Sequence, residues 1–435
     1  MLFESTQLYH LMWLSKRDTC PPALATPTNP LTNMRALIPE TDLVIPIISQ
    51  FSPSLWRSYF LFKDALSETR EELWGFTRNK DVPTDKYGMN SEFKRIDFFN
   101  ERNLKILEMI SGAYFTFFIT SDGVYGIGEN DDGQLGIGNN ITQLDFVKIT
   151  SLSLMKIRKI QCGNFYSMVL TEDSEVFGFG QNHWGQLGIG EEQENVVLVP
   201  TQLQMFGKGE IELETIYCGE YNTFFVTTAS EKTNHVKQLY GCGYTEFGQL
   251  GPQVPSTTIC VKTPILIEFF SKEQSMSVKT MTSSYGFSFV MTMSNEIYSF
   301  GLQEDGELGI GITNSDINGF TKIDFNLSPG DDIQYMACGN SSGIFISSKE
   351  GRVFHTGLMP IFITPYQTSS QTNHTPFQIF NVSLSQHTFV KIEIRGDTYI
   401  LVNKVISTPT QLLGRLQLLY QQLLDDQQFT DIQFL

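Results

Sequence analysis

Val176-Phe-Gly-Phe-Gly-Gln-Asn-His-Trp-Gly-Gln-Leu-Gly-Ile-Gly190 is one of four copies of a single phrase in this chain. The others are Val124-Tyr-Gly-Ile-Gly-Glu-Asn-Asp-Asp-Gly-Gln-Leu-Gly-Ile-Gly138, Leu239-Tyr-Gly-Cys-Gly-Tyr-Thr-Glu-Phe-Gly-Gln-Leu-Gly251 and Ile297-Tyr-Ser-Phe-Gly-Leu-Gln-Glu-Asp-Gly-Glu-Leu-Gly-Ile-Gly311. Aligned on the Gly before Gln-Leu-Gly or Glu-Leu-Gly, they place Gly133, Gly185, Gly248 and Gly306 at intervals of 52, 63 and 58 residues. A period of about 50 to 60 residues marks an array of supersecondary units. The variation in spacing falls after each Leu-Gly, so insertions map to loops.

Each copy has an earlier half: a Gly, a β-rich run and a turn. Gly112-Ala-Tyr-Phe-Thr-Phe-Phe-Ile-Thr-Ser-Asp-Gly123 and Cys162-Gly-Asn-Phe-Tyr-Ser-Met-Val-Leu-Thr-Glu-Asp-Ser174 are the clearest, and the half recurs from Cys218, Ser284, Cys338 and Arg395. Two β-rich runs joined by Asp-Gly or Glu-Gly read as a hairpin, because Gly supplies the positive φ of the tight turn. Two hairpins per repeat predict a four-stranded unit too small to hide its apolar faces alone, so neighbouring units must cover one another. Paired glycines such as Gly126 and Gly128 fit a place where strands crowd. Leu135, Leu187, Leu250 and Leu308 are expected to wedge between units. Degenerate copies flank the clear ones: Leu73-Trp-Gly-Phe-Thr-Arg-Asn79, Val353-Phe-His-Thr-Gly357, and an eroded first half at Gln50 to Phe62.

With Gly-x-Gly-x-Asn-x-x-Gly-Gln-Leu-Gly-x-Gly and the alternating Cys-Gly half, residues 50 to 406 resemble the regulator of chromosome condensation repeat family. The resemblance implies an all-β fold, a seven-bladed β-propeller built from six clear or degenerate repeats plus the eroded one. Its last blade would be closed by strands from both ends, with Arg395 to Val402 beside the N-terminal strands near Trp74. The expected organisation is an N-terminal extension and linker over 1–41, the propeller over 42–406, and a short C-terminal segment over 407–435. In that segment leucines at helical spacing from Thr410 to Leu424 precede Phe429-Thr-Asp-Ile-Gln-Phe-Leu435. A helix followed by this phrase is similar to the opening of a BTB/POZ domain. Such a domain takes on the order of a hundred residues, so a chain stopping at Leu435 would carry only its opening.

Charged residues make up 18% of the 435, yet the net charge is −17. That argues against broad electrostatic binding of nucleic acid, which depends on Lys and Arg neutralising phosphates. Acids gather where loops are expected: Glu129, Asp131 and Asp132; Glu191, Glu192 and Glu194; Glu304, Asp305 and Glu307. Two accounts stand open, solvation of exposed loops and an acidic face that steers a basic partner. Cys162, Cys218 and Cys338 share one repeat position before Gly, as small buried apolar residues do, and the six cysteines show no disulfide or zinc spacing. A reducing compartment follows, cytoplasmic or nuclear. Glu4 before the N-terminal apolar run and Lys16 and Arg17 after it are the wrong order for a secretory signal. No stretch reaches the roughly 18 to 20 apolar residues of a membrane span. Residues 191 to 200, 228 to 237 and 364 to 376 read as loops.

The phosphate-binding reading of Gly126-x-Gly128 and Gly178-x-Gly180 fails, because Asp131 and His183 stand where the third glycine belongs. The six histidines lack metal-ligand spacing. His355, at a repeat glycine position, reads as a packed or loop residue. An active site in a symmetric array should appear as a departure in one copy, and no singular constellation stands out. The expectation is therefore a protein without catalytic residues, cofactor or metal, working as an interaction module that binds a protein partner.

If the tail opens a BTB/POZ domain, the resemblance implies the partner-binding part of a ubiquitin-ligase adaptor, with cullin binding and dimerisation belonging to the complete domain. The rival is guanine-nucleotide exchange on a small GTPase of the Ran or Arf type, as the founding family member performs on Ran. Exchange would call for an extended, singular loop on one face; Thr227 to Gln238 and Gly190 to Pro200 are longer than their counterparts, but neither carries a motif that matches an exchange loop. Candidate contact residues are the repeat tips: Asn130, Asp131, Asp132, Gln181, Asn182, His183, Trp184, Glu246, Phe247, Glu304 and Asp305. Trp184 and Phe247 lead, because aromatics at loop tips make contact anchors.

Overall fold

The computed structural model describes residues 91–350, apart from 154, 191–194, 208–210, 234, 256, 312–316, 340 and 350. It also describes residue 352 and the strand segments 8–11, 46–52, 59–64, 67–78, 353–358, 372–378, 388–395 and 398–404. The predicted C-terminal helix and BTB/POZ opening lie outside these residues. The chain divides into two compact units, one of residues 1–103 with 386–435 and a larger one of residues 104–385.

In the smaller unit, β1 (Leu8–Leu11) precedes a four-stranded antiparallel sheet of β2 (Pro46–Ser52), β3 (Tyr59–Asp64), β4 (Ser67–Arg78) and β5 (Ser91–Ile96). The larger unit holds five such sheets in sequence order. They are β6 (Ile106–Ser111), β7 (Phe115–Thr120), β8 (Gly123–Gly128) and β9 (Gln143–Lys148); β10 (Ile157–Cys162), β11 (Tyr166–Thr171), β12 (Val176–Gln181) and β13 (Val196–Leu203). Then come β14 (Leu213–Cys218), β15 (Asn222–Thr227), β16 (Leu239–Tyr244) and β17 (Cys260–Leu266); β18 (Val278–Ser283), β19 (Phe287–Thr292), β20 (Ile297–Gly301) and β21 (Ile317–Lys322). The last is β22 (Ile333–Cys338), β23 (Ser342–Ser347), β24 (Val353–Leu358) and β25 (Thr372–Gln378). In the smaller unit again, β26 (Thr388–Arg395) and β27 (Thr398–Lys404) form a hairpin that pairs with β1.

Two expectations change. Val196 and Thr372 already belong to strands, so the loops read over 191–200 and 364–376 are shorter than supposed. The C-terminal hairpin does join an N-terminal strand, but at Leu8–Leu11, with Leu8 opposite Val402 and Leu11 opposite Tyr399. The edge near Trp74 is taken: the eroded half at Gln50 to Phe62 supplies β2 and β3, and Phe60 pairs with Trp74.

The second strands of the inner sheets of the larger unit, such as Tyr-Ser-Met-Val-Leu-Thr at 166–171 and Asn-Thr-Phe-Phe-Val-Thr at 222–227, are buried throughout because sheets cover both their faces. First strands of successive sheets touch in order, β6 with β10, β10 with β14, β14 with β18 and β18 with β22. Between the sheets the rings interlock: Phe117 meets Phe179 edge to face at 6.3 Å, Phe206 meets Phe225 at 4.7 Å, and Phe289 meets Phe345 at 4.9 Å. Every sheet of the larger unit carries a register shift between its third and fourth strands at the Gly-x-Gly position or its equivalent, from Gly126/Gly128 to His355/Gly357. That is a β-bulge repeated with the sequence. Gly180 shows what the second glycine is for: its φ is 102°, and a Cβ would lie 2.6 Å from the carbonyl oxygen of Phe165. Cys162 and Cys338 are buried, Cys218 is half-buried, and none of the three forms a disulfide. His355 is buried as expected of a packed residue, and that burial pushes its imidazole down to about 3.

Candidate partner-binding face

Antiparallel order puts the first-to-second turn and the third-to-fourth loop of each sheet at the same end. In the larger unit these segments gather the repeated phrase and nearly all predicted contact residues on one face.

The loop is built from the inside. In the first sheet the Leu135 N–H donates to Asn130 Oδ1 at 2.9 Å, and the Asn130 amide donates to the Asn139 carbonyl at 2.7 Å. Asn182 accepts from Leu187 N–H at 3.2 Å. In the fourth sheet Gln303 does both jobs, accepting from Leu308 N–H at 2.8 Å and donating to Gly311 O at 2.9 Å. The next residue type in the phrase folds back on the turn: Gln134, Gln186, Gln249 and Glu307 each accept from the N–H two residues earlier, at 3.0, 3.0, 2.9 and 2.8 Å. All four are buried.

Each loop is then locked to the following sheet. Ser167 Oγ donates to Gln134 O at 2.8 Å, Thr223 Oγ1 to Gln186 O at 2.7 Å, and Thr356 Oγ1 to Glu307 O at 2.7 Å. The last hydroxyl comes from a third strand rather than a second, because the second strand has Gly343, which pairs with Thr356. Gly138 N–H reaches Leu198 O and Gly190 N–H reaches Lys262 O, both at 3.0 Å. The wedge leucines Leu135, Leu187, Leu250 and Leu308 are fully buried, and a Cβ on Gly126 would stand 3.0 Å from Leu135. Full burial of one such side chain stabilises by about 1.5–3 kcal/mol.

The predicted contact residues divide accordingly. Asn130 and Asn182 are buried braces. Gln181 is half-buried and accepts from Gln186 Nε2 at 3.2 Å, while Asp131 is exposed and accepts from Thr142 Oγ1 at 2.9 Å. His183, Trp184, Glu246 and Glu304 are exposed, and Asp132, Phe247 and Asp305 lie between. Trp184 stands 4.9 Å from Tyr244, and Phe247 lies 5.8 Å from Tyr244 and 5.9 Å from Tyr285. Tyr285 completes the group at 5.9 Å from Tyr244 and 5.8 Å from Tyr221.

Tyr221, Tyr244 and Tyr285 did not stand out in the sequence, although the signal existed. An aromatic follows the first-half glycine in copy after copy, at Tyr114, Phe165 and Tyr221, and Tyr114 packs on Phe165 at 5.7 Å.

Charge on this face runs one way. Among the described residues, the segments 112–114, 129–142, 163–165, 182–190, 219–221, 245–255, 257–259, 284–286 and 302–311, with 195, 339 and 341, contain eight carboxylates and no Lys or Arg. Lys262 lies just beyond, in β17, with its stem against Gly185. Burial first, then Asp131 and Asp132, push Glu129 up to about 7. Burial likewise pushes Glu307 up to about 7, and this residue is no exposed loop acid but a buried stand-in for the repeat's Gln. Burial and then Glu129 and Glu220 raise the Tyr114 phenol, and the Tyr244 hydroxyl, itself raised by burial first, donates to Glu246. Among the described residues no cluster of three or more His, Cys, Asp or Glu could hold a metal.

Sheets of this kind, with a loop locked onto each successive neighbour, define a propeller of repeat units. Residues 121–170 and 173–226 match the family model described as the Regulator of chromosome condensation (RCC1) repeat, and 157–186 match a second model of that description. The stretch 121–226 carries repeats of this family. Among curated proteins it is similar to the Ultraviolet-B receptor UVR8 of Arabidopsis thaliana, 28% identical over 48% of this chain and 44% of the relative. The Probable E3 ubiquitin-protein ligase HERC4 of Mus musculus is 30% identical over 50% of this chain and 19% of the relative. The chain thus spans less than half the length of these two relatives. The human Regulator of chromosome condensation is 24% identical over 69% of this chain and 70% of its own length. In fold the chain resembles the crystal structure of Prp20p from Saccharomyces cerevisiae, with a TM-score of 0.63 at 17% identity and 86% of each chain covered. That protein is described with its binding to Gsp1p and histones.

Proposed function

We propose that this chain is a non-enzymatic protein-interaction propeller that holds a partner on the loop face. Each of the seven sheets among the described residues serves as one blade. One observation carries the reading: the repeated residues of the face are buried and committed to locking sheets together, whereas among the residues that vary between copies Trp184, Glu246 and Glu304 are exposed and Phe247 is half-buried. A ubiquitin-ligase setting, in which the propeller selects what the ligase modifies, is supported by the similarity to HERC4.

Full-length protein and its Trp184→Ala/Phe247→Ala variant, used as bait in affinity capture, test the proposal. Partners should be lost from that variant and kept by Glu172→Gln/Asp173→Asn, which alters the second-to-third turn at the other end of the same sheet. Equal recovery from all three proteins removes the proposal.

A second reading, nucleotide exchange on a small GTPase, is favoured by the match to the human Regulator of chromosome condensation over more than two thirds of both chains. The two long segments do not combine into one exchange element, because 228–238 lies between second and third strands and the segment ahead of Val196 lies between third and fourth, at opposite ends of their sheets. Release of a fluorescent nucleotide from a Ran-like GTPase separates the two readings: acceleration by the wild type favours exchange.

A further inference from the structure

We propose that the aromatic patch of Trp184, Tyr244, Phe247 and Tyr285 anchors an arginine-bearing segment of the partner protein, a proposal that rests on reading this face as a protein-binding surface.

The patch is contiguous and crosses three sheets: Trp184 comes from the second of the larger unit, Tyr244 and Phe247 from the third, and Tyr285 from the fourth. Tyr244 is the buried hub, and Trp184 and Tyr285, each 37% exposed, are the outer rings. Aromatic residues on a rigid frame, partly open to solvent, have the composition of binding hot spots. Their surroundings select the occupant. The loops around them supply carboxylates without a Lys or Arg, Glu246 accepts the Tyr244 hydroxyl, and Glu220 adds to burial in raising the Tyr221 phenol. Ring faces attract cations through their quadrupole, and the carboxylates at the rim add a long-range pull.

Other occupants fit worse. A second copy of the same face would set acid against acid. A purely apolar partner would strip water from the carboxylates and leave them unpaired. Nucleic acid would meet like charge. Between the two basic side chains, guanidinium is planar, stacks on rings and binds carboxylate through a two-pronged fork, whereas ammonium does neither.

Fluorescence anisotropy with full-length protein tests this. The probe is a labelled peptide alternating Arg and Ser, run beside Lys-for-Arg and Gln-for-Arg versions. Binding should follow Arg, then Lys, with the Gln peptide inert. It should weaken by about tenfold in Trp184→Ala and in Tyr285→Ala, and between about 50 and 300 mM salt. Glu246→Gln/Glu304→Gln, which keeps shape and removes charge, should weaken it by about threefold, and Glu172→Gln/Asp173→Asn should leave it unchanged. Thermal melts establish that each variant is folded. Equal binding of the Gln peptide, unchanged binding in both the aromatic and the carboxylate variants, or no binding of the Arg peptide overturns the proposal. If the Arg peptide fails while affinity capture still depends on Trp184 and Phe247, the cationic occupant is wrong and the interaction reading stands; if both fail, both fall.

Discussion

The two ends of the sheets in the larger unit handle charge in opposite ways. At the end carrying the second-to-third turns, carboxylates are paired: Lys148 with Asp122 at 2.7 Å, Lys237 with Glu214 at 2.6 Å and Lys322 with Glu296 at 2.6 Å. Lys148 holds the Asp122 carboxyl below its usual value, and Lys322 does the same for Glu296. At the loop face the carboxylates have no basic residue among the loops, and Glu129 and Glu307 are pushed up instead. One end balances part of its charge with Lys; the loop face carries carboxylates without a Lys or Arg among its loops and is held in shape by neutral hydrogen bonds and apolar wedges.

The sharpest way to break that contrast is to remove a wedge. Leu187 fills the space under the loop of the second sheet, where a Cβ on Gly178 would stand 3.2 Å from it, and is fully buried. Leu187→Ala should cost about 2–5 kcal/mol in chemical denaturation, the largest effect expected of any change on this face. A loss below about 0.5 kcal/mol, the level of ordinary surface changes, would mean the loops are not mortar between sheets.

The wedges, the crowded glycines and the hairpins were legible because a repeated residue reports a repeated need of the backbone or core. Gly180 with its positive φ and Leu187 with its full burial follow from their types alone. Asn130 and Asn182 misled for the opposite reason: Asn is common both at exposed tips and as a side chain that satisfies a turn's own N–H groups, and in these loops it does the second. Glu307 read as solvated because carboxylates are seldom buried. Only its alignment with Gln134, Gln186 and Gln249 identifies its real task. β1 escaped notice because four residues, Leu8–Leu11, carry too little pattern to announce a strand that pairs with residues nearly 400 positions away.

Glu307 yields the intermediate effect. Its folded value of about 7 stands above the ordinary 4.5. The stability it contributes is therefore present below the ordinary value and is lost as pH climbs through the folded one. Glu307→Gln restores the repeat's neutral acceptor. It should match the wild type near about pH 5 and exceed it near about pH 8 by about 1–2 kcal/mol. Parallel melting curves at both pH values check this, and a constant difference would remove the buried-acid assignment.

The smallest effect should come from the paired end, with the reverse pH sign. Lys322, 55% exposed at its side chain, depresses Glu296 mainly through their hydrogen bond. That stability is present above the ordinary carboxylate value and is lost as pH falls through the lowered one. Lys322→Gln should therefore cost only about 0.2–0.5 kcal/mol at neutral pH, nothing under acid conditions, and less as salt is raised. The variant also leaves the Glu296 carboxylate without its cation, still accepting from the Tyr298 hydroxyl at 3.1 Å. If the Arg peptide then binds there as well as at the aromatic face, open carboxylates alone recruit it; if binding is unchanged, the rings are what distinguish the two ends.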